Sequence, residues 1–380
     1  MKGGRFATAL VPALILRAPA PAAAQASTGV WNAHVGAHAS WYSDPFSGVP
    51  GQPGYVEGFR AGVGYTLNSP RTVVAFDAYG MGVMTQGTGA ADHFNYAGAI
   101  AVTRHSTPRL TLRFSEAIVS VYSNGAPALA AEGLVYPLTM TRTNDLMAGF
   151  TYQFTPRTSF TLTARHDLAG FDSTSGLTNG WQFRTSASLA RQVSATDAVH
   201  ITYSYRYSAF QDAAAPNTNT NSLTAGWGRE LSERYSVALD AGVSRLNRVD
   251  TPGQTGFVAD AVITRRLNMG SLSARYRHGF SQAYGYGSDR VYDTVGLAYA
   301  RTLTRELSGT ISAVYGRSRD PYDPLKGFDT QNYHLGLQYL LARGWVAGAS
   351  YAWLSRDPVG GLVQSTNNVN ASLTYGWEWR

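Results

Sequence analysis

The sequence predicts an all-β chain, a transmembrane antiparallel up-and-down β-barrel of about eighteen strands. Three observations carry this. From about Val30 to Arg380, apolar and polar residues alternate with hardly any helical periodicity, in segments of roughly 9–14 residues. Tyr and Trp gather at segment ends, and a secretory leader stands in front. Successive side chains of a strand point to opposite faces, so each segment has one apolar and one wet side. In the last segment Val369, Ala371, Leu373, Tyr375, Trp377 and Trp379 fall on one side. Asn368, Asn370, Ser372, Thr374, Gly376 and Glu378 fall on the other. A soluble sandwich alternates too; strand length, terminal aromatics and the leader decide for lipid outside and water inside.

The leader comes first. Lys2 and Arg5 form a positive n-region, residues 6–16 a short apolar stretch, and Ala24-Gln25-Ala26 an A-x-A cleavage pattern. This stretch is too short for a spanning helix, and no later segment is long enough. The expected organisation is a signal peptide over residues 1–26 and a single barrel over 27–380, with the mature chain starting near Ser27.

Strands are expected to begin near Val30, Tyr55, Thr72, His93, Arg109 and Met140. The next six begin near Thr158, Asn179, Ala198, Asn219, Tyr235 and Gly256, and the last six near Ser271, Arg290, Glu306, Thr330, Trp345 and Thr366. What separates them alternates in kind. Tight turns rich in Ser, Asn, Pro and Gly recur at 67–71, 106–109, 155–157, 193–197, 231–233, 268–270, 304–305 and 342–344. They lie about 35–49 residues apart, one hairpin pair per interval. Longer links rich in Gly, Pro, Asn and Asp occupy 43–54, 123–138, 211–218, 250–254, 320–329 and 357–365. Short periplasmic turns and longer outer links have this asymmetry, and an even count puts both chain ends on the periplasmic side. The third strand and the region 124–143 are the weakest segments, and sixteen strands is the alternative count. A propeller or solenoid would show blade signatures or fixed core offsets, and neither occurs.

Composition agrees. Charged residues make up only 14%, while Gly (40) and Tyr (23) are abundant. The mean hydropathy of −0.18 averages a lipid face with a wet one. The chain has no Cys, which removes thiolate chemistry and Cys-based zinc sites. Of the formal charge of +7, three positive charges (Lys2, Arg5, Arg17) sit in the leader. Almost all the rest of the positive charge is Arg, and no basic cluster interleaved with aromatics points to nucleic acid.

Two aromatic girdles are expected where headgroups meet hydrocarbon. Tyr65, Tyr152, Phe154, Tyr235, Tyr299, Tyr339, Trp345, Trp377 and Trp379 lie near the short turns. Trp41, Trp181, Tyr205, Tyr207, Phe280, Tyr315, Tyr351 and Trp353 lie near the longer links. On the inner face the alternation puts Arg60, Arg113, Arg165, Arg184, Arg206, Arg266, Arg275 and Arg277. Fewer acids face inward: Asp145, Asp167, Asp240, Asp260 and Glu378. An Arg-leaning lumen favours anions; the competing reading pairs these Arg with the inner acids as filler. No separate plug domain precedes the first strand, and only 123–138 is long enough to fold inward as a constriction.

Catalytic and metal chemistry finds little support. His34 and His38 share a strand face but sit about 13 Å apart, too far for one ion. His38 and Ser40 resemble the His-x-Ser pairing of outer-membrane phospholipases, without a recognisable third residue. His166 and Asp167 face opposite sides and form no dyad. His200, Thr202 and Ser204 share the inner face as ordinary lumen decoration. No phosphate loop, nucleophile elbow or calcium loop occurs, so no cofactor is expected.

The leader, the hairpin repeat and the terminal strand, residues 368–380, resemble the bacterial outer-membrane β-barrel proteins, and most of all the porin-like barrels found with exopolysaccharide export systems. The likeness spans the mature chain and is architectural. It implies residence in the outer membrane, contact with its lipid, delivery by the barrel-assembly machinery and a possible exopolysaccharide export complex as partner. Such chains usually end on an aromatic assembly signal; here Trp377 and Trp379 supply it, with Arg380 following. The expected function is a channel for small hydrophilic solutes or a secreted saccharide chain, with weak anion preference and no enzymatic activity. The alternatives are a structural or surface-interaction barrel and, more remotely, an outer-membrane hydrolase.

Overall fold

The computed structural model describes residues 28–43, 53–86, 92–123, 139–172, 175–212, 216–249, 251–323, 326–359 and 363–379. The leader with its cleavage residues Ala24 and Ala26, Arg380, and most of the expected links 43–54 and 123–138 lie outside them.

Eighteen strands form. They are β1 (Thr28–Tyr42), β2 (Gly54–Asn68), β3 (Thr72–Gln86), β4 (His93–Thr107), β5 (Leu110–Ser123) and β6 (Thr139–Thr155). There follow β7 (Thr158–Phe171), β8 (Gly180–Gln192), β9 (Asp197–Phe210), β10 (Thr218–Glu230), β11 (Tyr235–Arg248) and β12 (Thr251–Leu267). The last are β13 (Gly270–Ala283), β14 (Ser288–Thr302), β15 (Leu307–Arg319), β16 (Gly327–Ala342), β17 (Trp345–Pro358) and β18 (Gln364–Trp379). The weak third segment is a full strand, and the count is eighteen rather than sixteen. One expected boundary moves. Residues 251–254 are strand rather than link: β12 starts at Thr251, and Gln254 pairs with Leu246. Pro252 and Gly253, read as link residues, sit at the start of the strand, where a missing N–H costs least.

Every strand pairs antiparallel with its chain neighbours, and β1 also pairs with β18, from Trp31↔Trp379 to Tyr42↔Asn368. The sheet is therefore closed and has no edge. Strands run from 13 to 17 residues. At about 3.3 Å per residue and a tilt near 40°, even the shortest rises roughly 33 Å, past an apolar band of about 25 Å.

The registers separate the two faces. Outside lie Phe59, Val63, Leu189, Ile201, Leu297, Leu337 and Leu373, each at least 36% exposed. A protein in water would not leave so many large apolar side chains in one continuous belt. The expected girdle aromatics fall on this outer face, with one exception. Phe280 turns inward: a Cβ on the inner-face residue Gly256 would meet its ring at 3.0 Å. The short turns gather at one end with both chain ends, and six of them carry an exposed Arg: Arg71, Arg109, Arg157, Arg234, Arg305 and Arg343.

At the opposite end the wall is interrupted. Pairing between β12 and β13 stops at Ala259↔His278, while β13 and β14 stay paired up to Ala283↔Ser288. This hairpin tip leaves the wall and leans over the interior, where Gln282 and Asp289 are almost fully buried. Gly285 (φ 81) and Gly287 (φ 62) make its turn, in the left-handed region that other residues adopt at a cost. Backbone hydrogen bonds tie Gly285 to Thr178, in the link between β7 and β8, in both directions (3.0 and 2.9 Å). Ala169, Phe171, Ala283, Tyr284 and Phe328 form a buried apolar cluster around the contact. An inward fold thus comes from a short hairpin that the length argument did not single out; the link it did single out, 123–138, lies outside the described residues beyond Ser123.

Candidate functional site: the inner wall and its outer mouth

The inner wall is built in rows, because residues directly opposite in the register are side-by-side neighbours across the strands. Arg165 (β7), Arg184 (β8) and Arg206 (β9) stand side by side in one such row. The next row toward the mouth holds Asp145 (β6), Asp167 (β7) and Gln182 (β8). Arg165 joins the two rows, bonding Asp145 and reaching Asp167 at 2.8 Å. Gln182 donates to the other Asp167 oxygen at 2.7 Å. Three adjacent guanidiniums repel one another; the flanking carboxylates offset that repulsion at Arg165.

A second group lies across β9 to β13. Asp240 and Asp260 are opposite each other, and Arg277 is opposite Asp260. Arg275 forks onto Asp260, with Nε at 3.1 Å from one oxygen, and Arg277 approaches it at 3.7 Å. Asp240 instead meets His200, whose Nε2 lies 2.6 Å away. These two come from strands separated by β10, and Gly226 sits between them in the register. Any Cβ at Gly226 would collide with both side chains. Glycine here is what lets the wall form a contact across a strand.

Arg60, Arg113 and Arg266 meet no carboxylate within ion-pair reach among the described residues. Arg60 stacks its guanidinium 3.7 Å from the Tyr79 ring centre. Arg113 donates to Thr151 Oγ1 at 3.4 Å, and Arg266 lies exposed toward the short-turn end. His34 and His38 lie flat over Gly62 and Gly58. His38 bonds the Gly58 backbone and Ser40 the Tyr42 hydroxyl, so the two are engaged separately. Glu378, near the short-turn end of β18, is exposed.

At the mouth, one Arg that the alternation placed inward meets residues that periodicity did not single out. Arg206 reaches from the wall to the hairpin tip, donating to the Phe280 carbonyl (3.2 Å), Thr220 (3.1 Å) and Asp289 (3.1 Å). The Arg206 and Asp289 side chains are 9% and 1% exposed. Tyr284 donates to the Asp167 carbonyl at 3.3 Å. Beyond it, Arg290 and Arg356 flank the Tyr286 and Phe328 rings at 4.8–5.1 Å. Burial pushes the Tyr286 phenol above its usual range, and the two guanidiniums offset only part of that. One sequence signal marked this site: two Tyr alternate with three residues of Ala and Gly in a link short enough to be a plain turn.

The chemistry of the wall is electrostatic. It presents ordered guanidiniums, some beside carboxylates and some not, on the inner face, and the hairpin meets the β7–β8 link at the outer mouth.

No protein-family model matches this chain, and no characterised protein sequence does. Solved structures do. The chain is similar to the outer membrane protein OpdK of Pseudomonas aeruginosa, at 10% identity and a TM-score of 0.50, covering 92% of this chain and 99% of that one. It is similar to OccAB2 of Acinetobacter baumannii at 9% identity and a TM-score of 0.50, covering 93% and 98%. OprD of Pseudomonas aeruginosa also aligns, at 11% identity and a TM-score of 0.49, over 92% and 96%. At such identities the likeness is one of fold. The fold is that of a bacterial outer-membrane porin barrel. The structures named here lend no support to the narrower likeness to exopolysaccharide-export barrels.

Proposed function

We propose that this chain, freed of residues 1–26, is an outer-membrane channel for small hydrophilic solutes with a weak preference for anions. The observation that carries the reading is the closed eighteen-strand wall whose inner face is wet and set with guanidinium rows. Eighteen strands enclose room for an aqueous passage, and rings of charge bias what passes. The preference is modest because Arg165, Arg206, Arg275 and Arg277 are each held by an acid. Arg60 and Arg113 supply the surplus. The inward hairpin favours small solutes over a saccharide chain, since it narrows the mouth.

Purified barrel in a planar bilayer should conduct, with a reversal potential in a salt gradient on the anion side. Arg60→Glu with Arg113→Glu should move it toward cations, and high salt should blunt the difference by screening. Silence at every voltage would favour a structural barrel instead, a reading to which the apolar cluster under the mouth lends some weight.

A further inference from the structure

Five outward-facing arginines stand at one level around the short-turn end. Arg104, Arg191, Arg229, Arg265 and Arg301 close β4, β8, β10, β12 and β14, the strands that descend toward the short turns. Each lies in register with a residue at the very start of a neighbouring strand: Thr72, Thr158, Asp197, Tyr235 and Gly270. Each also follows, two positions on, an outward apolar or aromatic residue: Val102, Leu189, Trp227, Ile263 and Tyr299. The level is therefore the rim of the lipid band, and the side chains point away from the pore.

All five are exposed. Among the described residues, only Arg229 has a carboxylate within ion-pair reach, Asp197 at 3.6 Å, and Arg265 lies 5.3 Å from the Tyr235 ring centre. A long side chain at this level lays its stem on the apolar surface and carries its charge into the headgroup layer. Four of the five occupy successive descending strands, β8 to β14, so they are about 10 Å apart across the strands. Each then has room for a headgroup of its own. The choice of residue matters as well, for a guanidinium meets phosphate with two parallel hydrogen bonds where an ammonium offers a point charge.

We propose that Arg104, Arg191, Arg229, Arg265 and Arg301 form a collar that binds the phosphates of anionic phospholipids in the membrane leaflet at the short-turn end. The proposal rests on the membrane placement of the barrel and not on conduction. Outward orientation beside the apolar band favours lipid over the cell wall, toward which the turn arginines are better placed.

The test uses the full barrel in mixed micelles of phosphatidylglycerol and phosphatidylcholine, with retained lipid counted by native mass spectrometry. The parent should retain phosphatidylglycerol at least tenfold over phosphatidylcholine. Replacing Arg191, Arg229, Arg265 and Arg301 by Gln should bring the ratio near one. The double change Arg265→Gln/Arg301→Gln should give an intermediate ratio, and serves if the fourfold variant does not fold. Arg245→Gln, an outward arginine at the opposite end, should leave the ratio unchanged. Millimolar inorganic phosphate should not displace the lipid; displacement would mean a site for the free ion. An unchanged ratio in the variants, or equal retention by the parent, overturns the proposal. So does a variant that keeps its lipid but no longer sediments with isolated peptidoglycan.

Discussion

Leu373 and Leu337 stand on the outer face at 40% and 42% exposure, and each has a polar chain neighbour, Ser372 or Gln338, on the inner one. Arg in place of either leucine should destabilise the folded barrel by about 2–4 kcal/mol in lipid, the cost of a guanidinium near the bilayer midplane. The same change at Ser372 or Gln338 meets water and should be far milder. Folding titrations into vesicles separate the two outcomes, and equal damage in both sets would contradict the register. Arg206 makes a different kind of contribution. Among the described residues, its Ala variant leaves the buried Asp289 the Thr218 hydroxyl as hydrogen-bond partner and no counter-charge. Removing one member of such a pair costs about 3–5 kcal/mol. Because Arg206 links the wall to the hairpin tip, the loss should appear as faster proteolysis near residues 284–287 with the barrel itself intact.

Among the described residues, the β13–β14 hairpin tip departs from the wall. Val in place of Gly285 forces a β-branched residue to φ 81, at a cost of about 1–2 kcal/mol, and loosens the tip. If the tip narrows the mouth, single-channel conductance should rise in this variant and more so when residues 284–287 are shortened. An unchanged conductance would place the narrowest point elsewhere. Strands were legible in the sequence because period two and turn residues are local signals. The starts near Thr72, Thr158, Tyr235 and Trp345 coincide with β3, β7, β11 and β17. At β12 the reading slipped, since Pro252 and Gly253 look like link residues and are tolerated at a strand end. The hairpin's strands were legible, and its Ala-Tyr-Gly-Tyr-Gly turn stood out, but its inward contacts could not be read. Its partners Thr178, Asp167, Arg206 and Phe328 lie far off in the sequence, and no periodicity encodes a contact across the interior. Face assignment by alternation likewise put Asp260 with the inward set, but its grip on Arg275 and Arg277 depends on register between strands, which one strand's pattern does not contain.

For the whole molecule, the leader pattern makes one separate prediction: N-terminal sequencing of the membrane fraction should find a chain beginning near Ser27. Retention of Met1 on the barrel would mean that the A-x-A pattern is not cut. Closure by β1 and β18 has a consequence of another kind. Trp31 lies beside Trp379, so the two chain ends emerge together at the short-turn end. The fold is in effect a ring of nine hairpins, and its linear start is a matter of where the ring is cut. A short peptide joining the old ends, with a new opening at Asn268-Met269, keeps both termini at the same end and breaks no strand pair. Such a circular permutant should fold to the same barrel, with unchanged resistance to unfolding in detergent. An opening within the β13–β14 tip, by contrast, should leave the wall in place while freeing the two halves of the constriction to move apart.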